Sequence, residues 1–262
     1  MNILVCVKQV PDPVEIKFNS ETASLIRACA ANIVNPFDKY ALELALQLKE
    51  KHGGEVTVLT MGPPQAVDAL KECYAMGADK IVLASDSLFE GGDTLATSYA
   101  LFCAIKKTGE FDLILYGKQA IDGNTAQVGP QVAERLGVAQ ATCATGIELA
   151  DDKVLVAREQ DDCQEIIEVK MPALVTVAKL AVEPRNPNIR RKIAANKIEM
   201  PVISAADLEG IDAARLGLTG SAVKVKKMFA PPVRGAGIKI ENETADNAVK
   251  ALVDYLSNAK AI

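Results

Sequence analysis

Gly117-Lys-Gln-Ala-Ile-Asp-Gly-Asn-Thr-Ala-Gln-Val-Gly-Pro130 is the stretch from which the fold can be read. It follows a short apolar run, Asp112-Leu-Ile-Leu-Tyr116, and leads into a helical pattern, Gln131-Val-Ala-Glu-Arg-Leu136. A strand, a glycine-bearing polar loop and a helix start present free backbone N–H groups and a positive dipole end to an anion. Gly123 permits close backbone approach, and Asn124 and Thr125 add side-chain donors. Pro130 is tolerated only in a first helical turn, so the helix is expected to begin between Thr125 and Pro130. The chemistry is that of a diphosphate cradle; an ordinary strand-to-helix loop with a polar cap is the bland alternative.

Upstream, strand and helix patterns alternate. Apolar runs at Ile3–Val7, Val56–Met61, Ile81–Ala84 and Leu113–Tyr116 suit parallel strands covered on both faces. Between them, Asp38 is placed to cap a helix over Lys39–Lys51. Further helices are predicted over Pro64–Met76, ended by Gly77, and over Thr94–Lys107, preceded by Gly91-Gly-Asp93. The fold class is therefore α/β, a doubly wound, mainly parallel, Rossmann-like sheet with ligands at the strand carboxyl ends. Pro11–Asn32 is irregular and reads as either a hairpin or a lid. Beyond Ala139, strands at Gly146–Leu149, Lys153–Arg158, Glu165–Lys170 and Leu174–Ala178 are expected as antiparallel additions. Residues 1–223 are read as the α/β domain and 224–262 as a C-terminal arm. The arm holds apolar Met228, Phe229 and Val233 and an amphipathic helix over Asn247–Leu256.

Composition narrows the function classes. The chain has 262 residues, 49% hydrophobic and 24% charged, enough for one substantial core. A net charge of −5, no tryptophan and 4% aromatics give no electrostatic or stacking surface for nucleic acid. No apolar run approaches the ~20 residues that span a bilayer. The start lacks a basic leader, so a cytoplasmic location is expected. Cys6, Cys29, Cys73, Cys103, Cys143 and Cys163 form no Cys-x-x-Cys pair, and His52 is the only histidine. A metal centre or a histidine-based triad is therefore not expected.

Gly117-Lys-Gln-Ala-Ile-Asp122 with Thr125-Ala-Gln-Val-Gly129 closely resembles the nucleotide-binding loop of the electron-transfer flavoprotein beta subunit. Val5-Cys-Val-Lys-Gln-Val-Pro-Asp12, Asn35-Pro-Phe-Asp38 and Met61-Gly-Pro63 resemble three more segments of that family, and the likeness covers about residues 1–205. By this resemblance Cys6, Asn35, Pro36, Phe37, Asp38, Met61 and Gly62 would line the adenosine part of a nucleotide. Asp122, Gly123, Asn124, Thr125, Gln127, Val128 and Gly129 would hold its phosphates, and Lys8 could neutralise its charge. The resemblance also implies an alpha-subunit partner wrapped by the arm. It makes about 183–197 a recognition loop for a flavin-dependent dehydrogenase, with Ile189 as apolar anchor beside Arg190 and Arg191. Asp161-Asp162-Cys163 departs from the family's Asp-Gly-Gly turn, which puts that turn's geometry in question.

Within the family, Asp122-Gly-Asn-Thr-Ala-Gln-Val-Gly-Pro130 resembles the flavin-bifurcating group, which holds FAD in this subunit, more than the group that holds AMP. Asn124 replaces that group's usual aspartate and removes a negative charge beside the diphosphate. Glu90-Gly-Gly-Asp-Thr94 resembles the same group's glycine loop, making Gly91, Gly92, Asp93 and Thr94 candidate NADH contacts; helix capping is the competing reading. The resemblance implies NADH as donor and ferredoxin or flavodoxin as one acceptor. No side chain reads as a general acid–base catalyst, since redox chemistry belongs to the flavins. Two rivals stand. One is a non-bifurcating carrier with AMP. The other is an ATP-dependent enzyme or nucleotide sensor, disfavoured because Val7-Lys-Gln-Val-Pro-Asp12 stands where such folds carry a glycine-rich loop.

Overall fold

A computed structural model describes residues 1–12, 17–19, 24–26, 31–224, 226, 237–241 and 244–262. Cys29, Met228, Phe229 and Val233 lie outside the described residues. The chain divides into two compact units, Met1–Lys227 and Met228–Ile262.

The elements of the first unit follow in order: β1 (Asn2–Val7), β2 (Gln9–Pro11), β3 (Lys17–Asn19), β4 (Ser24–Ile26), β5 (Asn32–Val34), α1 (Pro36–His52), β6 (Glu55–Met61), α2 (Val67–Met76), β7 (Lys80–Ala84), α3 (Thr94–Thr108), β8 (Leu113–Gly117), α4 (Val128–Leu136), β9 (Ala139–Ala150), β10 (Lys153–Glu159), β11 (Gln164–Lys170), β12 (Ala173–Val177), α5 (Ile189–Ala195), β13 (Val202–Ile203) and α6 (Gly217–Gly220). The second unit contains α7 (Ala245–Asn258), whose Val249, Leu252, Val253 and Tyr255 are exposed.

One nine-stranded sheet, ordered β11-β10-β9-β12-β8-β1-β6-β7-β13, carries the fold. All pairs from β9 to β13 in that order are parallel; only β10 with β9 and β11 are antiparallel. Leu174–Ala178 is thus corrected from an antiparallel addition to a central parallel strand. β12 inserts between β8 and β9, pairing Val175 with Leu115 and Ala141. All five of its residues are buried, which is why its pattern lacks the alternation of a one-sided strand. β9 serves both regimes. Ala139 to Ala144 pair with β12, and Ala144 to Ala150 pair with β10.

Helices cover both faces. α1 and α2 pack on the face carrying Ile3, Val5, Val56, Leu113 and Val175; α3 and α4 pack on that carrying Leu4, Leu59, Ile114 and Leu174. The single-residue alternation of face along β1 follows from the strand period of two. The hairpin reading of Pro11–Asn32 is the one observed, with β2 antiparallel to β5 and β3 to β4. The capping role given to Asp38 is corrected. α1 begins at Pro36, so Asp38 lies in the first turn, and its buried side chain faces the sheet edge.

Candidate functional site

From β1 the chain builds outward to β6 and β7, then returns across β1 to β8 and builds the other way. The sheet reverses order between β1 and β8, and the crevice beyond their carboxyl ends is where such sheets bind ligands.

Asp38 organises that point. Its carboxylate accepts from Lys8 N at 2.7 Å, Gly117 N at 3.1 Å and Asn35 Nδ2 at 2.9 Å. One side chain therefore ties the ends of β1 and β8 together. Burial pushes its carboxyl up to about 7, against the pull of those three N–H donors towards the ionised form. Gly117 is required here, because a Cβ would lie 2.2 Å from Asp38 Oδ1. Asn35, fully buried, extends the brace into the loop: its Nδ2 donates to Gln119 O at 2.9 Å and its Oδ1 accepts from Ile121 N at 3.1 Å.

Above this floor the loop turns outward. Asn124 N donates to Ala120 O at 2.8 Å, Gln119 Nε2 donates to Asn124 Oδ1 at 3.0 Å, and Asn124 and Ala126 hold φ of 51° and 55°. Lys8 latches the loop by an exposed 2.6 Å ion pair with Asp122. The backbone N–H groups of Gly123, Thr125, Ala126, Gln127 and Val128 donate to no other group among the described residues. Those of Gln127 and Val128 open α4, where the helix dipole adds to their pull on an anion. A Cβ on Gly123 would meet nothing within 4 Å, so that position is open. Gly129 is different. A Cβ there would stand 2.8 Å from Thr176 Cγ2, so this glycine seats α4 on β12.

The predicted residues thus sort by role. Asp122 to Gln127 are exposed and Val128 is half-buried, the loop proposed from sequence as a cradle; Asn35, Asp38 and Gly129 brace it. Cys6 is buried beneath α3 and α4, paired in register with Tyr116, and burial pushes its thiol up to about 12. Only its backbone lies at the edge. Pro36 is exposed, and Phe37, Met61 and Gly62 are half-buried beside the crevice, Gly62 N donating to Ala84 O at 3.0 Å.

The Gly91–Thr94 loop reaches the cradle through one residue. Thr94 Oγ1 donates to Gln127 Oε1 at 2.9 Å and accepts from Gln131 Nε2 at 3.3 Å, so the first turns of α3 and α4 touch. Asp93 caps α3 by accepting from Ala96 N at 3.0 Å and also accepts from Val223 N at 2.9 Å. Gly91 and Gly92 pack against Leu218 and Gly217. The capping reading of this loop is the one its geometry displays.

The segment 183–197 lies elsewhere, on α1 and α2. Ile189 and Arg190 are exposed, whereas Arg191 turns inward, donating to Tyr74 O and Ala78 O with its guanidinium 4.5 Å from the Tyr74 ring centroid. Sequence reasoning missed Gln119, Gln131, Gly117's steric role and the packing of Gly217 on the Gly91 loop. Gly117 carried a signal, a glycine on the last position of a strand; the others depend on contacts between distant segments. Among the described residues no cluster of metal-ligating side chains occurs, and no helix is long and apolar enough to cross a membrane.

Comparison with known proteins adds the remaining constraint. The electron transfer flavoprotein domain family matches residues 22–208. The electron transfer flavoprotein subunit beta of Megasphaera elsdenii is 48% identical over 263 residues, covering 98% of this chain and 96% of that one. Subunit CarD of the caffeyl-CoA reductase–Etf complex of Acetobacterium woodii is 42% identical over 263 residues, covering 100% of both. The acryloyl-CoA reductase electron transfer subunit gamma of Anaerotignum propionicum is 42% identical over 268 residues, again covering 100% of both.

Proposed function

This chain belongs to the electron transfer flavoprotein family as a beta subunit, and from that premise we propose that its crevice holds FAD and takes part in electron bifurcation. The observation that carries the reading is the set of unpaired N–H groups of Gly123 and of Thr125 to Val128, beside an open glycine. Their geometry fits a diphosphate, and Asn124 brings no carboxylate to repel it. Bound FAD would supply hydride acceptance from NADH and its division, one electron passing through an alpha-subunit FAD to a partner dehydrogenase and one to ferredoxin or flavodoxin.

The chain's own part is to bind and orient. Gly123, Thr125, Ala126, Gln127 and Val128 offer backbone donors to the phosphates. Asp38 and Asn35 fix the two strand ends and the loop between which the nucleotide lies. Lys8 holds Asp122, so that this carboxylate is neutralised rather than turned on the anion. Cys6, Pro36, Phe37, Met61 and Gly62 border the adenosine side. Gly91, Gly92, Asp93 and Thr94 shape the approach of NADH, with Thr94 as the residue that touches the cradle. The unit containing α7 is the arm that covers the alpha subunit; the apolar face of Val249, Leu252 and Val253 supports this. Ile189 with Arg190 docks a flavin-dependent dehydrogenase, a reading supported by two relatives named as parts of CoA-thioester reductases. The protein works in the reducing cytoplasm.

Anaerobic assay of the heterodimer with NADH, ferredoxin and a partner dehydrogenase tests the proposal. Ferredoxin reduction that requires the dehydrogenase's oxidised substrate is expected. Reduction of the dehydrogenase by NADH with ferredoxin left oxidised would contradict bifurcation.

A further inference from the structure

Helical spacing divides the docking segment into two faces. In α5, Ile189 and Ile193 stand four residues apart on one side, and Arg191 and Ala195 four apart on another. Ile189 and Ile193 are 77% and 61% exposed, while Ala195 is 1% exposed. Arg190, Lys192 and Lys197 are exposed and form no ion pair among the described residues. Unpaired cations around an apolar pair, on a chain of net charge −5, mark a local reversal of charge.

The inward face is held at two points. Arg191 Nε donates to Tyr74 O at 2.8 Å, its Nη2 donates to Ala78 O, and the guanidinium stacks on Tyr74. At the segment's start, Arg185 Nε and Nη2 donate to Glu43 at 2.8 and 2.9 Å, its backbone N donates to Glu43 Oε2 at 3.0 Å, and its Nη2 donates to Glu50 at 3.2 Å. Burial would raise the Glu43 carboxyl, but Arg185 more than offsets this and leaves it below its ordinary value. Between these points Asn188 N donates to Ala75 O at 2.8 Å, and the Asn188 side chain caps α5. A seven-residue helix would not persist in isolation. These contacts to α1 and α2 are what present it.

We propose that Arg185 and Arg191 are positioning residues that preorganise α5, and that Ile189 and Ile193, rimmed by Arg190 and Lys192, form the contact with a dehydrogenase surface offering an apolar pocket ringed by carboxylates. This rests on the docking reading given above and divides its residues. Arg191 belongs to the mount, and Ile193 joins Ile189 on the face. Preorganisation lowers the ordering cost of binding, and rim charges act mainly on association rate and its salt dependence.

The test uses the flavin-loaded heterodimer against a panel of flavin-dependent acyl-CoA and 2-hydroxy acid dehydrogenases, with the fastest-reduced member as probe. Backbone hydrogen exchange of 188–197 is read alongside. Arg191→Gln is expected to speed that exchange about tenfold or more and to lower kcat/KM for the probe about tenfold, leaving the slope of rate against ionic strength unchanged. Arg191→Lys should not rescue it, since a lysine lacks the planar fork and the stacking face. Arg190→Gln should flatten the salt slope without altering exchange. Ile193→Ser should lower kcat/KM about tenfold while altering neither. Arg185→Gln is expected to resemble Arg191→Gln, and Arg191→Gln keeps the test valid should the unpaired Glu43 unfold the first. Unchanged exchange in Arg191→Gln, or a flattened salt slope, would overturn the division into mount and face. Reduction of no panel member would instead overturn the docking reading beneath it.

Discussion

Two glycine-bearing loops leave parallel strands at the same sheet edge and start neighbouring helices, yet they use their glycines in opposite ways. In the loop after β7, every glycine is consumed by packing. A Cβ on Gly91 would lie 2.7 Å from Leu218 Cγ, and one on Gly217, its neighbour across the contact, would lie 2.5 Å from Leu88 O. In the loop after β8, Gly123 faces open space. Each loop also stands on one aspartate. Asp38, beneath the open loop, is buried and its carboxyl is pushed up to about 7. Asp93, beneath the filled loop, would be raised by burial, but the N–H groups of Ala96 and Val223 outweigh that and hold it below its ordinary value. Gly91 and Gly217 thus serve internal contacts, whereas Gly123, in the loop at the strand ends, leaves its backbone open.

The largest effect expected from this contrast is on stability. Gly217→Ala places a Cβ against two backbone oxygens at a φ of 47°, neither of which can yield cheaply. A loss of about 3 kcal/mol is expected, lowering Tm by roughly 8 °C in a melting experiment. A change below about 1 kcal/mol would break the claim that this loop is filled. Next comes Asp38→Ala. It leaves three N–H donors without their acceptor, and about 2–3 kcal/mol should be lost, with nucleotide affinity falling at least tenfold by equilibrium titration.

The two aspartates should respond to pH with opposite sign. Asp38 has a raised folded value, so its favourable contribution is complete below the unfolded value near 4 and is lost as pH rises through about 7. Asp93 is depressed, so its contribution is present above about 4 and lost as pH falls through its folded value. Denaturation at a series of pH values is expected to show a decline in stability between about pH 4 and about pH 7 that disappears in Asp38→Asn. Asp93→Asn should remove part of the loss on the acid side only. A decline that survives in Asp38→Asn would mean that its carboxyl does not titrate in that window.

The smallest stability effect is predicted where binding matters most. Gly123→Ala should change stability by less than about 0.5 kcal/mol, because nothing stands near its Cβ and its backbone is ordinary, yet weaken nucleotide binding. Lys8→Met should likewise cost under about 1 kcal/mol, since the Lys8–Asp122 pair is exposed, and lower affinity a few-fold. A large stability loss in either would erase the distinction between the loops.

How far the sequence could be read follows from the same contrast. Features set by local chemistry were legible. Pro130 placed the start of α4 between Thr125 and Pro130, where Val128 begins it, and Gly77 marked the end of α2. Position in the sheet was less so. Leu174–Ala178 read as an antiparallel addition because it follows two antiparallel strands in sequence; only its contact with β8 reveals it as central. Asp38 carried the signature of a helix cap, and nothing local announces that its acceptors serve Lys8 and Gly117, 30 and 79 positions away. Arg191 stood in an exposed-looking cationic run, and its turn towards Tyr74 depends on a helix 117 positions earlier.

The open loop is proposed to hold the second flavin of the complex, and counting nucleotides addresses this directly. The wild-type heterodimer and its Gly123→Val variant would be denatured and the released FAD and AMP quantified. Two FAD and no AMP in the wild type, with one FAD in the variant, is the predicted result. One FAD with one AMP in the wild type, or both FAD retained by the variant, would contradict it.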